Sequence, residues 1–269
     1  MTTSDGPDLD LLAEHLVRVP VHRALIRTLE NRLFAEEHIE RPILDIGCGD
    51  GHYAAVAFPD GIDVGIDIGQ AIVTEARRHG AYQHVDVASG TSLPYGDGYF
   101  RTVVSNCVIE HIPDIEALIQ EVARVLVSGG RFIFSVPNDG FTGMLPTVRL
   151  FRHLGFDGLA DRYGRWWNDN ADHHHLDAPE IWHRRLERCG LVVERQVPYM
   201  SKDATRVFEF SHYYAIPSLV WHKLTGTWSL RSGHVRSSLA YRWLRPYAEE
   251  SCPAMGSCTF FVARKQAEG

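Results

Sequence analysis

Between Pro42 and Pro137 short apolar runs alternate with amphipathic segments, and this alternation restricts the chain more than any other feature. The runs are PILDIG (42–47), IDVGID (62–67), YQHVDV (82–87), RTVVSNC (101–107) and GRFIFSVP (130–137). Segments 51–58, 70–79 and 114–127 carry helical spacing between them. The last starts after Pro113 with Asp114 as N-cap and stops at Gly129-Gly130. Apolar strands separated by helices build a parallel sheet covered on both faces, so the fold class is α/β.

Before the first strand, residues 9–38 hold leucines at helical spacing and predict one or two helices. After Asn138 the rhythm breaks. Residues 139–177 and 200–250 read as irregular, aromatic-rich insertions at the end of strand five and between strands six and seven. A helix at 178–190, a strand at 191–199 and a strand at 258–265 complete the sheet. The whole chain, 1–269, reads as one domain: a helical cap (1–40), a core (41–138), two insertions covering the acceptor, and the closing strands.

The turn after the first strand, ILDIGCGDGHY, has glycines at 47, 49 and 51. Ligands in open parallel sheets sit at the carboxyl ends of strands, and glycines let the backbone approach them. A dinucleotide turn needs G-x-G-x-x-G, but His52 stands at the third glycine's position, and no Gly-Lys-Ser/Thr follows for a P-loop. Charge is more decisive than spacing. Asp45 and Asp50 lie in the turn, and no Lys or Arg falls between Pro42 and Ala76. A pyrophosphate would meet unbalanced carboxylates there, whereas an ammonium and a sulfonium would be attracted. S-adenosylmethionine carries both. Asp67, ending the second strand, suits two ribose hydroxyls, and Asp86, ending the third, suits an adenine amino group.

The stretches LDIGCGDG, VGID, VDVASGTSLPYGDGYF, SNCVIEHIPD and EVARVLVSGGRFIFSVPN together resemble the class I SAM-dependent methyltransferases, especially the ubiquinone/menaquinone-type branch. The resemblance covers 43–138 and reaches FFVARK through the sixth helix–strand unit. It implies a Rossmann-like, seven-stranded, mostly parallel sheet with an antiparallel last strand. It also implies that Asp45, Gly47 and Gly49, beside Cys48, face the methionyl part. Asp67 and Ile68 would take the ribose, Asp86 and Val87 the adenine, and Asn106 with Cys107 the methyl-donor side. Arg101 stands where the family commonly has an aspartate, at the start of the fourth strand and away from the cofactor.

The activity implied is methyl transfer to a small-molecule, glycan-linked or lipid-like acceptor, with O-methylation favoured and S-adenosyl-L-homocysteine as product. A non-methylating SAM-binding protein is the alternative, and an NAD-dependent oxidoreductase fits the glycine spacing less well. A hydroxyl acceptor needs a base, and His111, His173 and His175 are the candidates. In an extended DHHHLD stretch (172–177) only His173 and His175 share a face, too few for a closed metal site, so no metal is expected. His22 and Arg23 could cover the site and pair with the cofactor carboxylate.

The net charge of −7 gives no general reason to bind nucleic acid. No apolar run of about 18 residues suggests a membrane span, although aromatic insertions flecked with arginine leave peripheral lipid contact open. Five scattered cysteines without C-x-x-C pairing read as free thiols, and with no secretory leader in the N-terminal stretch the expected location is the cytoplasm. The sequence does not fix the oligomeric state.

Overall fold

A computed structural model describes residues 10–214 and 235–267. Seven strands form one sheet in the order β3-β2-β1-β4-β5-β7-β6. They are β1 (Ile43–Ile46), β2 (Ile62–Asp67), β3 (Tyr82–Val87), β4 (Phe100–Asn106), β5 (Leu126–Pro137), β6 (Leu191–Tyr199) and β7 (Cys258–Lys265). Neighbours run parallel except β7, which is antiparallel to both β5 and β6. The sheet therefore matches the expected fold, antiparallel last strand included. Strand order reverses between β1 and β4, which opens a crevice above their carboxyl ends.

The central strands are buried on both faces, as their unbroken apolar runs require. Leu44, Val103, Phe132 and Ile133 are fully enclosed. One face is covered by α5 (Ile115–Val125) and α9 (Pro179–Arg188), through Leu118, Val122, Trp182 and Leu186. Asp114 caps α5 as expected, its carboxylate accepting from Ala117 N at 3.1 Å. The helix stops at Val125, however, and Leu126 already opens β5, so the strand takes the residues before the two glycines.

The other face carries α1 (Leu11–Arg18), α2 (Val21–Ala35) and α3 (His52–Ala57). The first insertion is helical: α6 (Phe141–Met144), α7 (Pro146–His153) and α8 (Asp157–Ala171). The second contains α10 (Lys202–Tyr214) and, further on, α11 (Leu239–Ala248). The irregular reading of these segments is thus corrected. Their aromatics and arginines mask a helical repeat whose buried positions include Phe141, Val148, Ala160 and Trp167, then Ala204, Val207 and Leu244. All of these join the core cluster that holds Leu25 and Leu29 of α2, so both insertions share the main core. Part of the aromatic stretch 208–228 lies outside the described residues. No helix among the described residues is long and apolar enough to cross a membrane. All five cysteines are free thiols.

Candidate active site

The glycine turn is shaped by its backbone. Gly47 N and Cys48 N both donate to Ile66 O, at 2.8 and 2.9 Å, which folds the turn over the end of β2. Gly47 has φ +78°, and a Cβ there would stand 2.4 Å from a Val108 methyl. Gly49, at φ +54°, would point a Cβ into open space with no protein atom within 4 Å. The first position needs glycine both for its φ and for close packing, the second for its left-handed φ alone.

Three acids stand along that groove, at β1, β2 and β3. Asp67 accepts from Gly49 N at 3.2 Å and Gly69 N at 2.9 Å, which fixes its carboxylate while leaving it half-buried. Beside it, on the neighbouring strand ends, Ile68 and Val87 are exposed at 78% and 45%. Bare aliphatic side chains flanking fixed carboxylates suit a flat aromatic ring joined to a polyol. Asp86 is held by Tyr95 OH at 2.9 Å. Asp45 is buried and accepts from Tyr82 OH at 2.6 Å. Burial pushes its pKa up to about 6, although the tyrosine hydroxyl opposes the shift.

Cys107, directly after β4, lines a cleft of about 630 Å³ whose walls also include Arg23, Arg27, Glu110, His111, Trp167 and His173. Both insertions contribute to it: Trp167 of α8 packs against Phe208 and His212 of α10, with the His212 ring centroid 5.2 Å away. Cys107, at φ +49°, is a left-handed non-glycine residue at the junction of β4 and the cleft. Its amide is secured by Ser135 O at 3.0 Å. Backbone strain of this kind marks positions that the surroundings over-determine.

A carboxylate unremarked in the sequence organises the junction. Glu30, fully buried on α2, accepts from Arg27 Nη1 (2.9 Å), Asn106 Nδ2 (2.8 Å), Cys107 Sγ (2.9 Å) and Tyr199 OH (3.1 Å). Burial works against the charge of Arg27, but Glu30 more than offsets it and raises the guanidinium pKa. The available signal was the i, i+3 pair Arg27 and Glu30 on an otherwise apolar helix face. The Asn106 side chain is spent on Glu30 and on Ser135, whose Oγ donates at 2.5 Å, so it does not reach the cleft as expected. Cys107 does line the cleft.

The histidines separate sharply. His174 N and His175 N both donate to Glu110 O, at 2.9 and 3.1 Å, pinning the triple-histidine loop onto the loop after β4. His173 thereby stacks on His111, ring centroids 5.4 Å apart, and both line the cleft. Burial and the neighbouring His111 lower the His173 pKa to about 4, leaving the ring neutral. His175 turns away: its Nε2 donates to Ile112 O at 3.1 Å and its Nδ1 lies 3.5 Å from Asp177. The expected shared face of His173 and His175 is therefore absent, because hydrogen bonding to Ile112 and Asp177 claims one ring. Glu110, only 2% exposed, joins the two remaining histidines, and burial pushes its pKa up to about 8. His22 and Arg23 also line the cleft.

Fold and site together define an α/β protein with an acidic groove at the carboxyl ends of its strands, the place where such sheets hold ligands. Residues 44–134 match the family described as a methyltransferase domain. A ubiquinone biosynthesis O-methyltransferase of Acinetobacter baylyi is 30% identical over 186 residues, covering 66% of this chain and 73% of that protein. An uncharacterized methyltransferase of a Mycobacterium species is 36% identical over 131 residues, covering 46% and 50%. A solved SAM-dependent methyltransferase of Thermotoga maritima shares the fold with TM-score 0.56 at 17% identity, covering 91% of each chain. The chain belongs to the class I SAM-dependent methyltransferases. Its matches span half or less of several of the curated relatives.

Proposed function

We propose that this chain transfers a methyl group from S-adenosylmethionine to the oxygen of a small-molecule or lipid-like acceptor bound in the cleft. The observation that carries the reading is that Arg23 and Arg27, in the wall of the histidine-lined cleft, act electrostatically on Asp50 and Asp45 of the glycine turn. Asp67 would hold the ribose hydroxyls, Ile68 and Val87 would flank the adenine, and Asp86 would accept from its amino group. Asp45 would face the methionyl ammonium, and Arg23 or Arg27 the carboxylate. When bound, S-adenosylmethionine supplies a methyl group already activated on a sulfonium and leaves as the neutral thioether S-adenosyl-L-homocysteine.

The chain's own work is then alignment, exclusion of water and removal of a proton. Trp167, Phe208 and Phe141 line the cleft with apolar surface. Activation of the hydroxyl falls to the cluster of Glu110, His111 and His173. His111 Nδ1 donates to Asp172 O at 2.9 Å, which leaves Nε2 as the ring atom turned toward Glu110. O-methylation is supported by the name of the Acinetobacter relative and by this cluster. The test is incubation with methyl-deuterated SAM and extracted metabolites, read by mass spectrometry. A labelled methyl ether formed with S-adenosyl-L-homocysteine supports the reading; label on carbon or nitrogen alone contradicts it.

A further inference from the structure

Glu110, His111 and His173 come together from two loops, and each offers a donor atom within 4.8 Å of the others. His111 Nε2 lies 3.7 Å from Glu110 Oε1, too far for a hydrogen bond. The Nδ1–H of His111 is committed to the Asp172 carbonyl, so in the neutral ring Nε2 presents a lone pair to a carboxylate. The two atoms face each other as potential ligands with no hydrogen bond between them. Two further atoms share this condition. Glu110 Oε2 and His173 Nδ1 are both buried and have no hydrogen-bond partner.

We infer that these three side chains form a binding site for one divalent transition-metal cation at the acceptor end of the cleft. Two imidazoles and one carboxylate suit zinc, manganese or cobalt better than magnesium, which prefers oxygen ligands. Donors sharing a zinc ion at about 2.0–2.2 Å stand roughly 3–3.5 Å apart, so the cluster needs to contract by about an ångström. The backbone around the three side chains is held by hydrogen bonds. The amides of His174 and His175 bind Glu110 O, and the carbonyl of Asp172 orients the His111 ring. An imidazole whose second nitrogen donates to a backbone carbonyl is the usual arrangement of a metal-bound histidine.

Three protein ligands leave at least one coordination position toward the cleft. An acceptor hydroxyl bound there loses its proton to water more readily, and its oxygen keeps the electron pair for the methyl carbon. This use of the cation rests on the methyl-transfer reading; the existence of the site does not.

Cobalt(II) is the probe. Chelator-treated protein titrated with Co2+ should show visible d–d absorption that saturates at one ion per chain and is displaced by Zn2+. His111→Ala, His173→Ala and the nearly isosteric Glu110→Gln should each weaken Co2+ binding at least tenfold, while His174→Ala should not. Circular dichroism and SAM calorimetry on the same samples separate misfolding from loss of ligands. Absence of saturable Co2+ binding in wild-type protein that still binds SAM would overturn the inference. So would an unchanged Co2+ spectrum in a folded His111→Ala/His173→Ala double variant. Failure to bind SAM with Co2+ binding intact would count against the cofactor reading alone.

Discussion

If the groove holds the cofactor as proposed, Asp45 couples it to pH. Its carboxyl, raised to about 6 by burial, is partly protonated near neutrality, while a cationic ligand favours the ionised form. Ligand binding therefore releases a proton, and affinity for SAM should be flat above pH 7. It should weaken through pH 6 by up to about tenfold per unit. Calorimetry in buffers of different ionisation enthalpy would detect the proton; affinity independent of pH from 5 to 8 would remove Asp45 from the site. At the acceptor end, His111→Ala or His173→Ala should lower turnover by roughly 10²–10⁴ and leave SAM affinity unchanged. His175→Ala should do neither, since its ring is held by Ile112 and Asp177. At this scale the groove was readable and the cleft was not. Asp45, Asp67 and Asp86 announce themselves because each stands at, or one residue before, the end of a strand read from its apolar run. The pairing of His173 with His111 depends on two amides of the triple-histidine loop bonding Glu110 O, a contact that spacing does not encode.

Among the elements, α2 carries more of the site than its position before the sheet suggests. Its Glu30 ties the helix to the ends of β4 and β6 through Asn106, Cys107 and Tyr199. Glu30→Ala would strand Arg27 in a mostly buried position and should cost about 3–5 kcal/mol. A protein of this size should then lose on the order of 10 °C in Tm. A loss under about 2 °C in a thermal melt would show that the network contributes little. Strands and crossover helices were legible from periodicity, since a buried parallel sheet has few other solutions. The insertions were not, because α8 mixes Trp166, Trp167 and Tyr163 with arginines, and only burial against α10 distinguishes core from surface.

The whole molecule joins a rigid sheet to two insertions of unequal attachment. Helix α10 buries Ala204, Thr205, Val207, Glu209 and Ser211 against the main body. By contrast, α7 and α8 and the turn between them expose Leu150, Leu154, Phe156 and Leu159 at 48–55%. Hydrogen exchange should therefore be fastest in 146–171, slower in 202–214 and slowest in β1, β4 and β5. Ligand in both compartments should raise protection chiefly in 157–171; exchange uniform across these segments would contradict a mobile cover over the cleft. The methyl transfer proposed for the cleft depends on the groove holding S-adenosylmethionine through the acids at its strand ends. The most direct test is calorimetric titration of wild type and Asp67→Ala with SAM, and with NAD for comparison. The wild type should bind SAM and ignore NAD, and the variant should lose about 1.5–3 kcal/mol, roughly 10- to 150-fold in Kd. Equal affinity of both proteins for SAM, or preference for NAD, would contradict it.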